Sequence, residues 1–188
     1  MGLRIATMAQ SVELVQPCAT LRDSYRALLA EFVAAGEQFV PFVLAFEHDD
    51  FGAFLKRLDA CARGMDLPDG FVAHSTYWLV RDHREVVGVS NIRHSLTDAL
   101  RREGGNIGYG IRPSARRQGF GATILRKSLD RAAALGLKRV LVTCARSNTG
   151  SAKAILRNGG VLESEEYLPD RGEFVQRYWI GRETNAGT

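Results

Sequence analysis

The pattern of hydrophobic and polar positions changes along the chain from a helical period to short strand-like segments. Five segments carry apolar residues three and four positions apart, which is the spacing of a helix with one buried face. The predicted helices are 20–35, 49 or 50 to about 63, 96–103, 121–135 and 148–157. Thr20 is the predicted N-cap of the first helix, and Gly36 and Gly136 are predicted to end two of them.

Seven shorter segments are rich in branched and aromatic residues and predict strands. They are 11–15, 75–80, 85–92, 106–111, 138–144, 161–167 and 174–180. The polar residues 81–84 predict a hairpin turn, whereas 39–46 is apolar but contains Pro41 and predicts an ordered connection. The order of elements predicts the α/β class (mixed α+β), with a central mixed, mostly antiparallel sheet flanked by helices. We expect one domain over 11–181, a flexible N-terminal extension over 1–10 and a flexible tail over 182–188.

Composition limits the classes of protein that fit this pattern. The 188 residues are 45% hydrophobic and 24% charged, ordinary values for a soluble domain. No apolar run approaches the roughly 20 residues of a membrane span, and no signal peptide is expected. Three widely spaced cysteines favour a reducing cytoplasm over a disulfide framework, and no metal-ligand pairing is present.

Positive charge is concentrated in one part of the chain. Between positions 112 and 139 there are eight Lys or Arg residues and one acidic residue, so this segment carries +7 while the whole chain carries +4. Such concentration indicates a local anion site, although a nucleic-acid groove also fits it.

The sequence RPSARRQGFGA, residues 112–122, lies directly before the strongest predicted helix. The first turn of a helix has unpaired N–H groups and a partial positive charge, and glycines let an anion approach that backbone closely. The turn therefore predicts a phosphate or pyrophosphate site, with a solvated basic loop as the alternative. No Walker motif occurs, and Ile124 stands where a dinucleotide fingerprint needs glycine.

The block NIGYGIRPSARRQGFGATILRKSLDRAAALGLKRVLVTCARSNTGSAKAILRNGG resembles the GNAT superfamily of acyl-CoA N-acyltransferases. Arg116-x-x-Gly119-x-Gly121 matches the superfamily pattern R/Q-x-x-G-x-G/A, after a strand and at the start of a helix. The resemblance is densest over 75–180. More narrowly, the sequence resembles a bacterial subgroup of predicted acetyltransferases.

The resemblance implies transfer of an acetyl group from acetyl-CoA to a primary amine, by direct attack in a ternary complex. The pyrophosphate is expected on the turn 117–122, and the pantetheine arm beside 109–112, where the strands splay between Ile111 and Cys144. The implied acceptor is a small-molecule amine or a peptide amine, and a homodimer is left open. The implied cofactor-contacting residues are Ile111, Arg112, Arg116, Arg117, Gln118, Gly119, Phe120, Gly121, Ala122, Asn148, Ser151 and Lys153.

The catalytic groups are less well defined by the sequence. Many members carry a tyrosine that protonates the leaving thiolate; the matching position here is Ile155, and Tyr109, the Cys144 thiol or solvent are the substitutes. Many also carry a glutamate base near the position of Asn106, so His94 and Glu103 become the candidate bases. A non-catalytic acyl-CoA sensor, and less favoured a nucleic-acid-binding module, are the alternative functions.

Overall fold

The structure is a computed structural model that describes residues 10–181. The predicted tail, 182–188, and all but one residue of the predicted extension, 1–10, lie outside the described residues. The helices are α1 (Arg22–Ala34), α2 (Phe51–Ala62), α3 (Asp98–Arg102), α4 (Phe120–Ala134) and α5 (Thr149–Arg157). The strands are β1 (Val12–Val15), β2 (His74–Arg81), β3 (Glu85–Arg93), β4 (Ile107–Ile111), β5 (Val140–Ala145), β6 (Val161–Leu168) and β7 (Glu173–Ile180).

The predicted elements form in the predicted order, and local chemistry explains most of their ends. Asp50 caps α2 by accepting a hydrogen bond from the N–H of Ala53 at 2.9 Å, as the sequence predicts. Thr20 does not cap α1, which is a correction. It lies instead in a 3₁₀ turn, Ala19–Leu21, with its hydroxyl 3.2 Å from the Cys18 sulfur.

The strands form two antiparallel sheets rather than one continuous ladder. The first has the order β1-β2-β3-β4 and the second the order β5-β7-β6. β4 and β5 are joined by backbone hydrogen bonding only near their N-terminal ends, where the N–H of Asn106 donates to the carbonyl of Leu141 at 2.7 Å. Gly105 permits this approach, because a Cβ there would lie 2.4 Å from the Leu141 oxygen. Beyond that point no pairing joins β4 to β5 in the described range, so the strands are splayed as expected.

Apolar side chains on the two faces of the first sheet form two cores. On one face, Trp78 of β2 is fully buried and stacks on Tyr25 of α1 with ring centroids 4.6 Å apart. On the other face, Ile124 and Leu125 of α4 pack with Ile155 of α5. Burial on both faces holds α1 and α4 on opposite sides of β4, and thereby positions the start of α4 at the open end of the splay.

Candidate active site

The edge of β4 that faces β5 carries unpaired backbone groups. At one end of the strand the N–H of Arg93 donates to the carbonyl of Asn106, and at the other the N–H of Arg112 donates to the carbonyl of Val87. Because residues of an antiparallel strand alternate between bonded and non-bonded positions, the N–H groups of Tyr109 and Ile111 point away from β3. The Arg112 amide is therefore already used, whereas the Ile111 amide faces the splay.

A cleft of roughly 600 Å³ runs from this edge to the start of α4. It contains most of the residues that the sequence predicted for the cofactor: Ile111, Arg116, Arg117, Gly119, Phe120, Gly121, Ala122, Asn148, Ser151 and Lys153. Glu37, Gln38 and Arg157 also line it, and none of the three is predicted from the sequence. Arg157 could have been predicted from the sequence, because it lies four residues after Lys153 and therefore on the same face of α5.

The turn before α4 has the backbone geometry of an anion site. Gly119 is the N-cap, with φ of 85° and no side-chain cap, and Arg117 also has a positive φ, 62°. The first helical hydrogen bond is from Thr123 to the Gly119 carbonyl, so the N–H groups at 120–122 have no partner within the helix. A Cβ on Gly121 would come no nearer than 3.9 Å to Ala154, so this backbone is open to the cleft. The turn therefore fits a pyrophosphate by its own geometry.

The basic residues of the turn have different roles in the structure. Arg116 forms a bidentate ion pair with Glu37, both contacts at 2.6 Å, and donates to the Ile111 carbonyl at 3.1 Å. These hydrogen bonds from Arg116 lower the pKa of Glu37. Arg117 is exposed and has no ion-pair or hydrogen-bond partner for its side chain between residues 10 and 181, so it is the cation of the turn that is available to a ligand.

Two residues predicted to contact the cofactor lie outside the cleft lining. The Arg112 side chain points to Glu31, with Nε to Oε1 at 2.6 Å, and lies 3.5 Å from Glu85. Gln118 donates to the Ser114 carbonyl at 3.3 Å and accepts from Arg81 at 3.4 Å. Both side chains stabilise the turn through contacts outside the cleft.

Glu31 of α1 is a structural determinant of the turn that the sequence did not reveal. Its carboxylate accepts hydrogen bonds from the Ser114 N–H at 2.9 Å, the Ser114 hydroxyl at 3.0 Å and Arg112 at 2.6 Å. Burial acts to raise the pKa of Glu31, but the hydrogen bonds from Ser114 and Arg112 outweigh it and the net pKa is lowered. The first helix thus holds the loop that precedes the glycine turn.

Tyr109 and Ser151 meet at the open edge of β4. The Tyr109 hydroxyl is 3.1 Å from the Ser151 hydroxyl, and Ser151 is held by its N–H bond to the Asn148 side chain at 2.9 Å. Burial raises the pKa of Tyr109, so the phenol keeps its proton at neutral pH. Burial also raises the pKa of Cys144 to about 11, so this thiol is neutral as well.

The structure does not bring the two predicted bases to the cleft lining. The His94 Nε2 atom is 2.9 Å from the Ser75 hydroxyl, and burial lowers the pKa of His94. Glu103 forms an ion pair with Arg171 at 2.9 Å near the surface. Ile155 is fully buried in the core between α4 and α5 and has no proton to donate.

Residues 10–181 contain neither a metal-binding cluster nor a membrane-spanning helix. No group of three or more His, Cys, Asp or Glu side chains is arranged to hold a metal ion. No helix in that range is long and apolar enough to cross a membrane.

The described fold and cleft agree with a family assignment made by comparison. A family profile described as "Acetyltransferase (GNAT) domain" matches residues 20–161, which is most of the chain. The chain therefore belongs to the GNAT acetyltransferase family, and its co-substrate is acetyl-CoA. A search of curated protein sequences found no match.

Solved structures of acetyltransferases share this fold. RimL, a ribosomal L7/L12 alpha-N-protein acetyltransferase with coenzyme A, aligns with a TM-score of 0.66 at 18% identity over 93% of this chain and 96% of that chain. RimJ from Mycobacterium smegmatis aligns at 0.65 and 20% identity, over 94% and 85%. The dodecameric spermidine N-acetyltransferase from Vibrio cholerae aligns at 0.60 and 14% identity, over 94% and 96%.

Proposed function

We propose that this chain transfers the acetyl group of acetyl-CoA to a primary amine, by direct attack of the amine in a ternary complex. The proposal depends on one observation above all: a single cleft joins an open helix N-terminus to the unpaired edge of β4. Relatives of the same fold act on the α-amine of a ribosomal protein and on spermidine, which supports an amine acceptor.

The cleft residues have separate roles in this proposal. The N–H groups at 120–122 and the Arg117 guanidinium bind the pyrophosphate, where charge-assisted hydrogen bonds are strongest. The Ile111 N–H donates to the thioester carbonyl and stabilises the negative charge that develops on its oxygen. Acetyl-CoA itself supplies the activated acetyl group.

Tyr109 is the general acid in this proposal. Its phenol is protonated because burial raises the pKa, and it lies at the open edge next to Ser151. A proton held there neutralises the departing thiolate, the role that Ile155 cannot perform. Cys144 is less suited, since it is buried in β5 and does not line the cleft.

The base remains a prediction. Burial lowers the pKa of His94, so the imidazole is neutral at pH 7 and able to accept a proton. Its place outside the cleft lining requires a water between it and the amine. Glu103 is paired with Arg171 and stays the weaker candidate.

The basic segment offers little support for a nucleic-acid site. Arg112 and Arg116 are paired with glutamates, and Arg131 donates to the Leu14 carbonyl beside the Tyr77 ring. We also infer a cytoplasmic location, because Cys18, Cys61 and Cys144 are all free thiols.

The experiment that tests the function is steady-state turnover of acetyl-CoA against a panel of primary amines, with product detected by mass spectrometry. The expected result is amine-dependent CoA release with matching acetylated product. Tight binding of acetyl-CoA by calorimetry without turnover of any amine would instead support the acyl-CoA sensor.

A further inference from the structure

Arg93, the last residue of β3, is a half-buried cation with no counter-ion. Burial lowers the pKa of this guanidinium, and no carboxylate between residues 10 and 181 lies within 4.0 Å of it. Its Nη1 atom donates to the carbonyls of Gly104 and Gly105, at 2.9 Å and 3.1 Å. A guanidinium withdrawn from water without an anion is costly, so this arrangement is unusual unless a ligand completes it.

The rest of the Arg93 guanidinium is open to a ligand. Nε and Nη2 have no hydrogen-bond partner in the described part of the chain. In the described part of the chain, the side-chain nitrogen and oxygen atoms that are fully buried without a hydrogen-bond partner are Trp78 Nε1 and Asn91 Oδ1. Arg93 Nε and Nη2 are not among them, so they are not fully buried. Two donors of a planar fork therefore reach accessible space, which is the geometry that a carboxylate fits.

Arg93 lies beside β4 on the face opposite α4. A Cβ on Gly108 would stand 3.8 Å from its Nη1 and 3.9 Å from its Nη2, and 3.6 Å from Pro41. These are ordinary contact distances, so Gly108 and the Arg93 guanidinium are direct neighbours. Gly110 shares this face of β4 and lines the cofactor cleft together with Val40, so Arg93 lies two strand residues beyond the cleft lining.

The surroundings of Arg93 are aromatic and positively charged. Its guanidinium carbon is 5.4 Å from the centre of the Phe42 ring, and that ring contacts His74 at 5.1 Å. Burial, and then the charges of Arg93, His94 and Arg57, lowers the pKa of His74 to about 4. The charges of Arg93 and Arg57 therefore favour an anion near this guanidinium.

We propose that Arg93 binds a carboxylate on the acceptor. The preferred substrate is then a primary amine whose carboxylate is attached to the amine-bearing carbon itself, or lies one or two carbons away from it. The proposal rests on the proposed function, since it assigns the acceptor side of the same cleft. A free amino acid and a peptide with an acidic first residue both present this chemistry.

The spacing along β4 suits a small acceptor. From Gly108, beside Arg93, to Ile111, whose N–H is proposed to hold the thioester carbonyl, the strand advances about 10 Å. A compact molecule that carries both an amine and a carboxylate can span such a distance once its hydrogen bond to Arg93 and its approach to the thioester are included.

The test compares acceptors that differ only in the carboxylate. One pair is an L-amino acid and its amide; the other is the peptides Asp-Ala-Ala-amide and Asn-Ala-Ala-amide. The expected result is a kcat/KM about 10- to 100-fold higher for the acidic member of at least one pair. The pair that discriminates identifies whether the carboxylate belongs to an amino acid or to a peptide.

Variants show whether Arg93 causes the preference. Arg93→Met is expected to abolish the ratio while the neutral member keeps its kcat/KM within about threefold, and Arg93→Lys to keep part of the ratio. Arg84→Met, which removes an exposed charge from the hairpin turn, is the matched control and is expected to change nothing. If Arg93→Met does not fold, Arg93→Lys and the wild-type ratio decide the question.

Equal rates within both pairs for the wild-type protein, or an unchanged ratio in Arg93→Met, would overturn the proposal. Acetylation of amines without regard to carboxylate leaves the proposed function intact and removes only this inference. If no amine is acetylated, the proposed function has failed. In that case, calorimetric titration of the same pairs into the CoA-loaded protein still decides the carboxylate preference.

Discussion

The Asn106 side chain joins the two sheets at Leu141. Its Oδ1 accepts a hydrogen bond from the Leu141 N–H at 2.9 Å, while its Nδ2 donates to the Arg93 carbonyl at 3.3 Å. An amide side chain thus takes the place of one ladder residue and fixes where β4 and β5 begin to diverge. The sequence had excluded Asn106 as a base, and the structure shows what it does instead.

Asn106→Leu is expected to destabilise the protein by about 2 kcal/mol or more, because it leaves the Leu141 N–H buried without a partner. The free energy of unfolding from a urea titration measures the loss. Asn148→Leu, which removes the exposed N-cap of α5, is the comparison and is expected to cost about 1 kcal/mol, as for an ordinary helix cap. An unfolding free energy equal to that of the wild-type protein would contradict the bridging role.

Gly121→Val is expected to weaken acetyl-CoA binding by at least tenfold while the protein stays folded. The Cβ at this position meets only Ala154 at 3.9 Å, so the fold accepts it, but the added methyl groups extend into the cleft. Calorimetric titration with acetyl-CoA measures the change. Ala134→Val, at the exposed far end of α4, controls for a branched residue in that helix; similar affinity for both variants contradicts the placement of the pyrophosphate.

Arg117→Ala and Arg116→Ala are expected to differ in effect. Arg117 is available to phosphate, so its loss lowers affinity for CoA but not for a pantetheine fragment that lacks phosphates. Arg116 is held by Glu37, so its loss acts through the shape of the turn and has a smaller phosphate-specific part. Binding constants for CoA and pantetheine decide this, and equal losses for both ligands in Arg117→Ala refute the phosphate contact.

Tyr109→Phe is expected to lower kcat by roughly 100-fold with little change in acetyl-CoA affinity, because it removes a proton donor and no binding contact of the turn. The Tyr109 pKa is raised, so activity that depends on the protonated phenol persists as pH rises and is lost only above the ordinary tyrosine range. Tyr167→Phe, at an exposed site on β6, is the control. Full activity of Tyr109→Phe would leave solvent as the proton source.

His94→Gln tests the predicted base through the pH profile of kcat/KM. Burial lowers the pKa of His94, so the base form is lost only as pH falls below the ordinary histidine value, and the acidic limb should lie there. The variant is expected to lose this limb and about 100-fold in activity. A wild-type profile in His94→Gln removes histidine from the mechanism.

The sequence by itself determined the elements, their order and the glycine turn at the start of α4. These follow from local features: apolar periodicity sets the helices and strands, and Gly119 and Gly121 at a helix start set the turn. Most residues predicted to contact the cofactor line the cleft, because most of them belong to one continuous turn and the rest to the start of α5. Helix ends were less predictable. Thr20 does not cap α1, because its hydroxyl contacts the Cys18 sulfur instead.

Tertiary structure alone decided the contacts between distant segments. The pairing of Glu31 with Ser114, of Glu37 with Arg116 and of Tyr109 with Ser151 each joins residues more than 40 positions apart. No local pattern encodes such contacts, because they depend on which helix covers which face of the sheet. The same reason applies to Arg93, at the end of β3, and to His94, which follows it. Adjacent side chains along an extended chain point to opposite faces of a sheet, and only packing decides what each face meets.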